Sequence, residues 1–240
     1  MIFTPNRLFR QVSLVIPNLP AAALLNLENS TMRGRETYFI ARPFLRILIC
    51  LFRLFPKSFV ESLWWTVQWQ PGLLGAGLRY AFASRLCNAV GDNVLFNQGI
   101  FAKNWAGITI GNNVTIQQNA YLDGEGGITI GNDTSIAHAV SILSFEHTWG
   151  DSTRPIKDNP RSTAPVIIGN DVWIGCGVRI LSGTTIGDRT VVAAGAVVVK
   201  GSIGGAIYGG VPARKISTFS NAQSTPASPV ILEHSANFQQ

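Results

Sequence analysis

Aliphatic residues recur at six-residue spacing through much of the chain, and a Val, Thr or Ala stands four positions after most of them. The positions that open these units are Ile110, Ile116, Leu122, Ile130, Ile136, Ile142, Ile168, Ile174, Ile180, Ile186 and Val192. One unit suits a short strand and a turn, and three units make a coil of about 18 residues. The pattern predicts stacked triangular coils around an aliphatic core, each covering its neighbour. We call this stack of coils the prism. The recurring IGN and IGD segments supply Gly, Asn and Asp, which tolerate positive φ at corners.

The repeat has one long interruption. The coils at 90–109 and 110–129 each exceed three units by two residues, which are inserted at the last corner. The coil from Ile130 continues to Ile167, more than twice the regular length, and the regular spacing resumes at Ile168. A loop over residues 145–166 accounts for the excess, and the stretch SFEHTWGD opens it with His147. Because core packing explains the repeated positions, we expect function where the repeat breaks.

The segment before the repeat has a different pattern, typical of amphipathic helices. In residues 38–57, Arg42, Arg46, Arg53 and Lys57 fall within about 60° of one another on a helical wheel. The longest uncharged apolar run there is six residues, far short of the ~20 that a spanning helix needs. These helices either cap the end of the prism, as solenoids require, or lie on a membrane surface through residues 38–70. The basic stripe and nearby tryptophans favour the membrane interpretation.

Composition and charge support this division of the chain. Charged residues make up 13% of the sequence and glycines number 24, which is typical of short strands and tight turns. Residues 1–89 contain ten Lys/Arg and three acidic residues, whereas residues 90–240 contain nine Lys/Arg and ten acidic residues. A nearly neutral prism argues against nucleic-acid binding. We predict a poorly ordered segment at 1–37, an amphipathic helical region at 38–89, the prism at 90–217 and a disordered tail at 218–240.

The three cysteines show neither metal-ligand spacing nor a disulfide framework, so a reducing, cytoplasmic setting is expected. Membrane binding by the helices would place the protein at the inner face of the cytoplasmic membrane. A zinc site would need three converging histidines, and only His138 and His147 fall in the prism. No metal is therefore predicted.

Three segments together resemble the bacterial hexapeptide-repeat O-acetyltransferases of the sugar and exopolysaccharide type. They are ITIGNDTSIAHAVSILSFEH, the DVWIG to GAVVVKG stretch and GGVPARK, within about residues 88–217. The resemblance implies a mainly β fold, a left-handed parallel β-helix preceded by the helical region. It also implies a homotrimer that binds acetyl-CoA in clefts between neighbouring prisms and acetylates a saccharide or lipid-linked saccharide.

The resemblance assigns catalysis to His147, at the mouth of the loop. Transfer from a thioester to a hydroxyl needs a base, and an imidazole suits that role. Asn119 matches an asparagine that holds the acceptor or the reacting centre in similar enzymes, and its amide could stabilise an oxyanion. A corner asparagine in the left-handed conformation explains the same residue equally well. Asp123 is interpreted as a turn residue and His138 as a surface residue.

For the cofactor, the resemblance indicates the coils after the loop. Backbone groups of Cys176 and Ala194 match positions that bind the pantetheine arm, and Lys200 and Arg214 match positions that meet the phosphates. Val199 replaces a frequent threonine there, and Trp173 is interpreted as a packing residue. A non-catalytic trimeric scaffold and a membrane-surface module remain alternatives to the transferase.

Overall fold

The computed structural model describes residues 34–219 of the 240, and the side chains of 38–219. Three helices come first: α1 (Gly34–Arg53), α2 (Lys57–Val67) and α3 (Gly72–Leu86). A parallel β-solenoid of about six coils follows, beginning at Ala89, with three sheets as its faces. The predicted segments at 1–37 and 218–240 lie mostly outside the described residues.

The three faces are sheets A, B and C, in the order in which the chain visits them. Sheet A contains β1 (Ala89–Val90), β4 (Ile108–Ile110), β7 (Ile128–Ile130), β12 (Val166–Ile168), β15 (Thr184–Ile186) and β18 (Gly201–Ile203). Sheet B contains β2 (Leu95–Phe96), β5 (Thr115–Ile116), β8 (Ser135–Ile136), β13 (Trp173–Ile174), β16 (Val191–Val192), β19 (Ile207–Gly209) and β20 (Arg214–Ser217). Sheet C contains β3 (Phe101–Lys103), β6 (Tyr121–Asp123), β9 (Ser141–Leu143), β14 (Arg179–Ile180) and β17 (Val197–Val198). The corners A to B, B to C and C to A are called the first, second and third corners.

The strand register confirms the predicted coil lengths. On sheet A, Val90 pairs with Ile110, Ile110 with Ile130, Ile130 with Ile168, and Ile168 with Ile186. The last coil is shorter than the repeat predicts, because Ile186 pairs with Ile203. There β20 runs antiparallel to β19 and ends the stack with a hairpin.

The core is the predicted aliphatic column. Every unit-opening residue named above is at most 2% exposed, and the Val, Thr and Ala four positions later are buried as well. Inward side chains from successive coils therefore stack in continuous rows.

The first corner is held by a ladder of side chains. The carboxamide oxygen of Asn112 accepts from the backbone N–H of Asp92, and Asn132, Asn170 and the Asp188 carboxylate repeat this bond coil by coil at 2.7–2.8 Å. The positive φ at this corner belongs to Asn93, Asn113, Asp133, Asp171 and Arg189. The corner thus satisfies its own polar groups.

The glycines of the IGN segments do not adopt the positive φ that was expected for them at the corners. Gly131 does not have positive φ; a Cβ there would lie 2.6 Å from the backbone of Gly169 in the next coil. These glycines therefore permit close approach between coils, while the Asn and Asp two residues later adopt the left-handed conformation.

The helices cap the first coil, as one of the two predictions required. The Trp64 indole donates to the carbonyl of Ile100 at 3.0 Å, and Arg79, only 2% exposed, donates to the carbonyls of Phe96 and Gln70 at 2.7 and 2.6 Å. Burial lowers the pKa of the Arg79 guanidinium to about 10. Buried hydrogen bonds of this kind fix α2 and α3 to the end of the prism.

Candidate functional site

The long interruption leaves the prism at the third corner as a β-hairpin. Strand β10 (Phe145–His147) pairs antiparallel with β11 (Arg161–Thr163), and the chain returns to sheet A at Val166. His147 is on β10, opposite Arg161, and is exposed. The predicted loop at 145–166 is thus an ordered hairpin whose strands hold the candidate base.

One face of the hairpin brings His147 together with Phe145 and Arg161. Directly paired residues in antiparallel strands project to the same side. The rings of Phe145 and His147 meet edge to face with centroids 6.0 Å apart, and the Arg161 guanidinium lies 5.4 Å from the Phe145 centroid. Glu146 alternates to the opposite face, so it does not pair with the imidazole.

A salt bridge fastens this hairpin to the prism. The Arg161 guanidinium lies 2.8 Å from the carboxylate of Glu125, which belongs to the preceding coil at the same corner. Glu125 stands in the two-residue insertion of its coil, but nothing in the sequence indicated its partner. Both residues were missed by the sequence analysis.

Beneath the hairpin, the third corner contains a buried polar cluster. The Asp123 carboxylate accepts from the side-chain amide of Asn104 at 2.7 Å and from the backbone N–H of Glu125 at 3.3 Å. The Ser144 hydroxyl donates to the carbonyl of Asp123 at 2.6 Å and accepts from the backbone N–H of Gly126 at 2.8 Å. Asp123, the last residue of β6, therefore holds the turn that follows it, in line with its interpretation as a turn residue, and with Ser144 it forms a rigid base for the hairpin.

The remaining candidates fall into two groups. Cys176 and Ala194 are stacked at the second corner, where the N–H of Gly195 donates to the carbonyl of Cys176 at 2.8 Å. Arg214 pairs with Gly209 at the end of sheet B and approaches the same corner. Lys200, in contrast, is at the third corner, where its side chain lies alongside Gly183.

Asn119 also belongs to the second corner, with φ of 59°. It is exposed and precedes β6, whereas the hairpin begins beyond the far end of β9. Four residues of extended chain separate the two ends of sheet C, roughly 13 Å. One chain therefore does not bring Asn119 and His147 together.

Two surface residues bear on the earlier interpretations. His138 is exposed at the second corner, as predicted. The interpretation of Trp173 as a packing residue is wrong, because 55% of its surface is exposed. It lines an open groove with Asp133, Asp171, Arg189 and Phe219.

A family model described as "Bacterial transferase hexapeptide (six repeats)" matches residues 165–200. The 2,3,4,5-tetrahydropyridine-2,6-dicarboxylate N-acetyltransferase of Staphylococcus aureus (strain JH9) is 44% identical over 66 residues, 28% of this chain and 28% of the relative. The matched part thus spans little more than a quarter of that relative.

Solved structures match over more of the chain. A hexapeptide-repeat acetyltransferase from Vibrio cholerae, in complex with acetyl coenzyme A, has a TM-score of 0.61 at 27% identity, over 69% of this chain and 87% of that one. A galactoside acetyltransferase in complex with coenzyme A has a TM-score of 0.61 at 28% identity, over 68% of this chain and 80% of that one. A maltose O-acetyltransferase from Clostridium difficile 630 has a TM-score of 0.60 at 26% identity, over 68% of this chain and 86% of that one. The repeat of this chain is thus of the hexapeptide type, and the proteins that it resembles are acetyltransferases.

Proposed function

We propose that this protein transfers the acetyl group of acetyl-CoA to a hydroxyl of a saccharide, free or lipid-linked, with His147 as general base. The observation that carries the proposal is the exposed imidazole on a fastened hairpin, at the one long break of the repeat described in residues 34–219. The acetyl-CoA and coenzyme A complexes of two similar structures support the choice of cofactor.

The chemistry requires one proton to move twice. The His147 imidazole takes the proton of the acceptor hydroxyl as its oxygen attacks the thioester carbon. The tetrahedral intermediate collapses, the carbon–sulfur bond breaks, and the imidazolium returns the proton to the departing thiolate. The products are the acetyl ester and coenzyme A, and no covalent enzyme intermediate forms. General-base catalysis of this kind contributes about 10²–10⁴-fold.

The second corner has the features that a pantetheine arm needs. Cys176 and Ala194 each precede a glycine with positive φ, Gly177 and Gly195, and a Cβ at either glycine would meet nothing within 4 Å. The backbone is therefore open to a ligand along this edge. Arg214 and Lys200 are exposed and could make charge-assisted bonds to phosphates.

We further propose that the site lies between two copies of the chain in a homotrimer. His147 and Lys200 are at the third corner, whereas Asn119, Cys176, Ala194 and Arg214 are at the second. A cleft that uses both groups is complete when the third corner of one copy faces the second corner of another. In that arrangement Asn119 could reach the oxyanion from the neighbouring copy.

Amine acceptors are the second candidate class. The observation that favours them is the 44% identity to an N-acetyltransferase, although only over 66 residues. The longer structural matches include a maltose O-acetyltransferase and favour a hydroxyl.

The test is release of free thiol from acetyl-CoA with panels of sugars, polysaccharides, lipid-linked saccharides and amines. We expect release that depends on a saccharide acceptor and is lost in His147→Ala. Release with amines alone would replace the O-transfer proposal by N-transfer. Failure to bind coenzyme A in calorimetry, together with no release, would favour the scaffold alternative.

Mixed oligomers test the shared site. Ala194→Trp blocks the second corner and His147→Ala disables the third, so each variant alone should be inactive. Co-refolded at equal amounts, a quarter of the interfaces pair two intact corners, so about a quarter of wild-type activity should return. No recovery in mixed trimers would contradict a site between copies.

A further inference from the structure

Helix α1 is apolar on its outer face as well as on its inner face. Tyr38, Leu45, Ile49 and Phe52 pack against the core. On the other side, five large apolar residues of α1 and the two residues that directly follow it are 44–79% exposed: Phe39, Ile40, Phe44, Ile47, Leu51, Leu54 and Phe55. A helix at the surface of a globular protein normally carries polar residues there. We call these seven residues the outer apolar face.

Within residues 38–57, the charges beside this face are all basic. Arg46 and Arg53 are exposed and, at 100° per residue, lie along one edge of the outer apolar face. Arg42, about 20° from Arg53 on the helical wheel and nearer the inner face, pairs with Asp92 of the prism, so the stripe predicted from the sequence is divided between two surfaces. Residues 38–91 contain six Lys/Arg and a single acid, Glu61.

We propose that α1 lies flat in the interface of an anionic lipid bilayer, with the outer apolar face in the acyl-chain boundary and Arg46 and Arg53 at the headgroups. Apolar residues flanked by basic ones are the signature of interfacial helices. Within residues 34–219, no helix is long and apolar enough to span a membrane.

The charges beside the outer apolar face favour lipid as its partner over a second copy of the chain or residues 1–33. A second copy related by a two-fold axis through this face would set Arg46 and Arg53 of one chain near the same arginines of its partner, which is repulsive. Residues 1–33 carry three Arg and one Glu, so they add like charge too. Anionic headgroups are complementary, and each basic residue near such a surface contributes favourably. The proposal does not rest on acetyl transfer.

The test is co-sedimentation of the full chain with phosphatidylcholine vesicles, with and without phosphatidylglycerol. We expect binding only to the anionic vesicles, weakened at least about tenfold by Ile47→Asp. Ile156→Asp is the matched control, because Ile156 is 63% exposed in the hairpin loop, and its binding should equal wild type. Both positions are exposed, so circular dichroism should show unchanged folding.

A second pair of variants tests the charges. Arg46→Glu with Arg53→Glu should weaken binding at least about tenfold, and Arg154→Glu with Lys157→Glu, an equal reversal in the hairpin loop, should not. Absence of binding by the wild type would overturn the proposal. So would equal binding by Ile47→Asp and Ile156→Asp, or a light-scattering mass that falls in Ile47→Asp without vesicles, since a second copy would then cover the face.

Discussion

The first and third corners of the prism both turn the chain from one sheet to the next, but they differ in how regular they are from coil to coil. At the first corner each coil repeats one arrangement, and Asn112, Asn132, Asn170 and Asp188 satisfy the backbone of the preceding coil. At the third corner the coils differ, and one of them extends into a hairpin that exposes His147. A corner whose polar groups bond one another has no group to offer a substrate. The repeated corner stabilises the fold, whereas the candidate base lies where one coil breaks the repeat.

The largest contrast should come from the two histidines of the prism, His147 on the hairpin and His138 at the second corner. We expect His147→Ala to lower kcat at least about a hundredfold, because the acceptor hydroxyl loses its base. His138→Ala removes only an exposed side chain that the proposed mechanism does not use, so it should retain wild-type kcat. Thiol-release assays measure both. Thermal unfolding should be unchanged in each, and equal kcat values would contradict the role of His147 as the base.

A smaller effect should follow from loosening the hairpin. Arg161→Ala removes the salt bridge to Glu125 and the contact with Phe145, so kcat should fall about tenfold as His147 becomes less well placed. Arg154→Ala is the control, since its salt bridge to Asp151 stays within the loop. Restored kcat in the exchange Glu125→Arg with Arg161→Glu would confirm a positioning role, and an unaffected Arg161→Ala would refute it.

The regular corner should respond in stability rather than in kcat. Asn132→Ala deletes a middle rung that accepts from the Asn112 backbone and donates to Asn170, so the free energy of unfolding should fall by about 1–2 kcal/mol. Asn97→Ala, whose amide bonds only the Gln117 side chain, should cost less than half as much. Urea unfolding measures both, and a loss of kcat in Asn132→Ala would be the unexpected result.

The sequence predicted what depends on local periodicity. Burial of Ile110 follows from the spacing alone, and so do the registers that pair Val90 with Ile110 and Ile130 with Ile168. The spacing could not predict contacts between distant segments, such as Glu125 with Arg161, because it carries no information about which side chains pair across a corner. The same limit explains Arg42, assigned to a membrane-facing stripe but bound to Asp92. The fold is therefore easier to predict from the sequence than the site is.

Removal of the interruption itself tests the central claim most directly. The segment Ile142-Leu143-Ser144 matches Ile180-Leu181-Ser182, which Gly183 connects to the next strand of sheet A. Replacing residues 145–165 by one glycine would give an uninterrupted coil of the regular length. The account predicts a folded protein that binds coenzyme A but releases no thiol from acetyl-CoA with acceptor. Turnover within tenfold of wild type would show that the chemistry lies elsewhere on the prism.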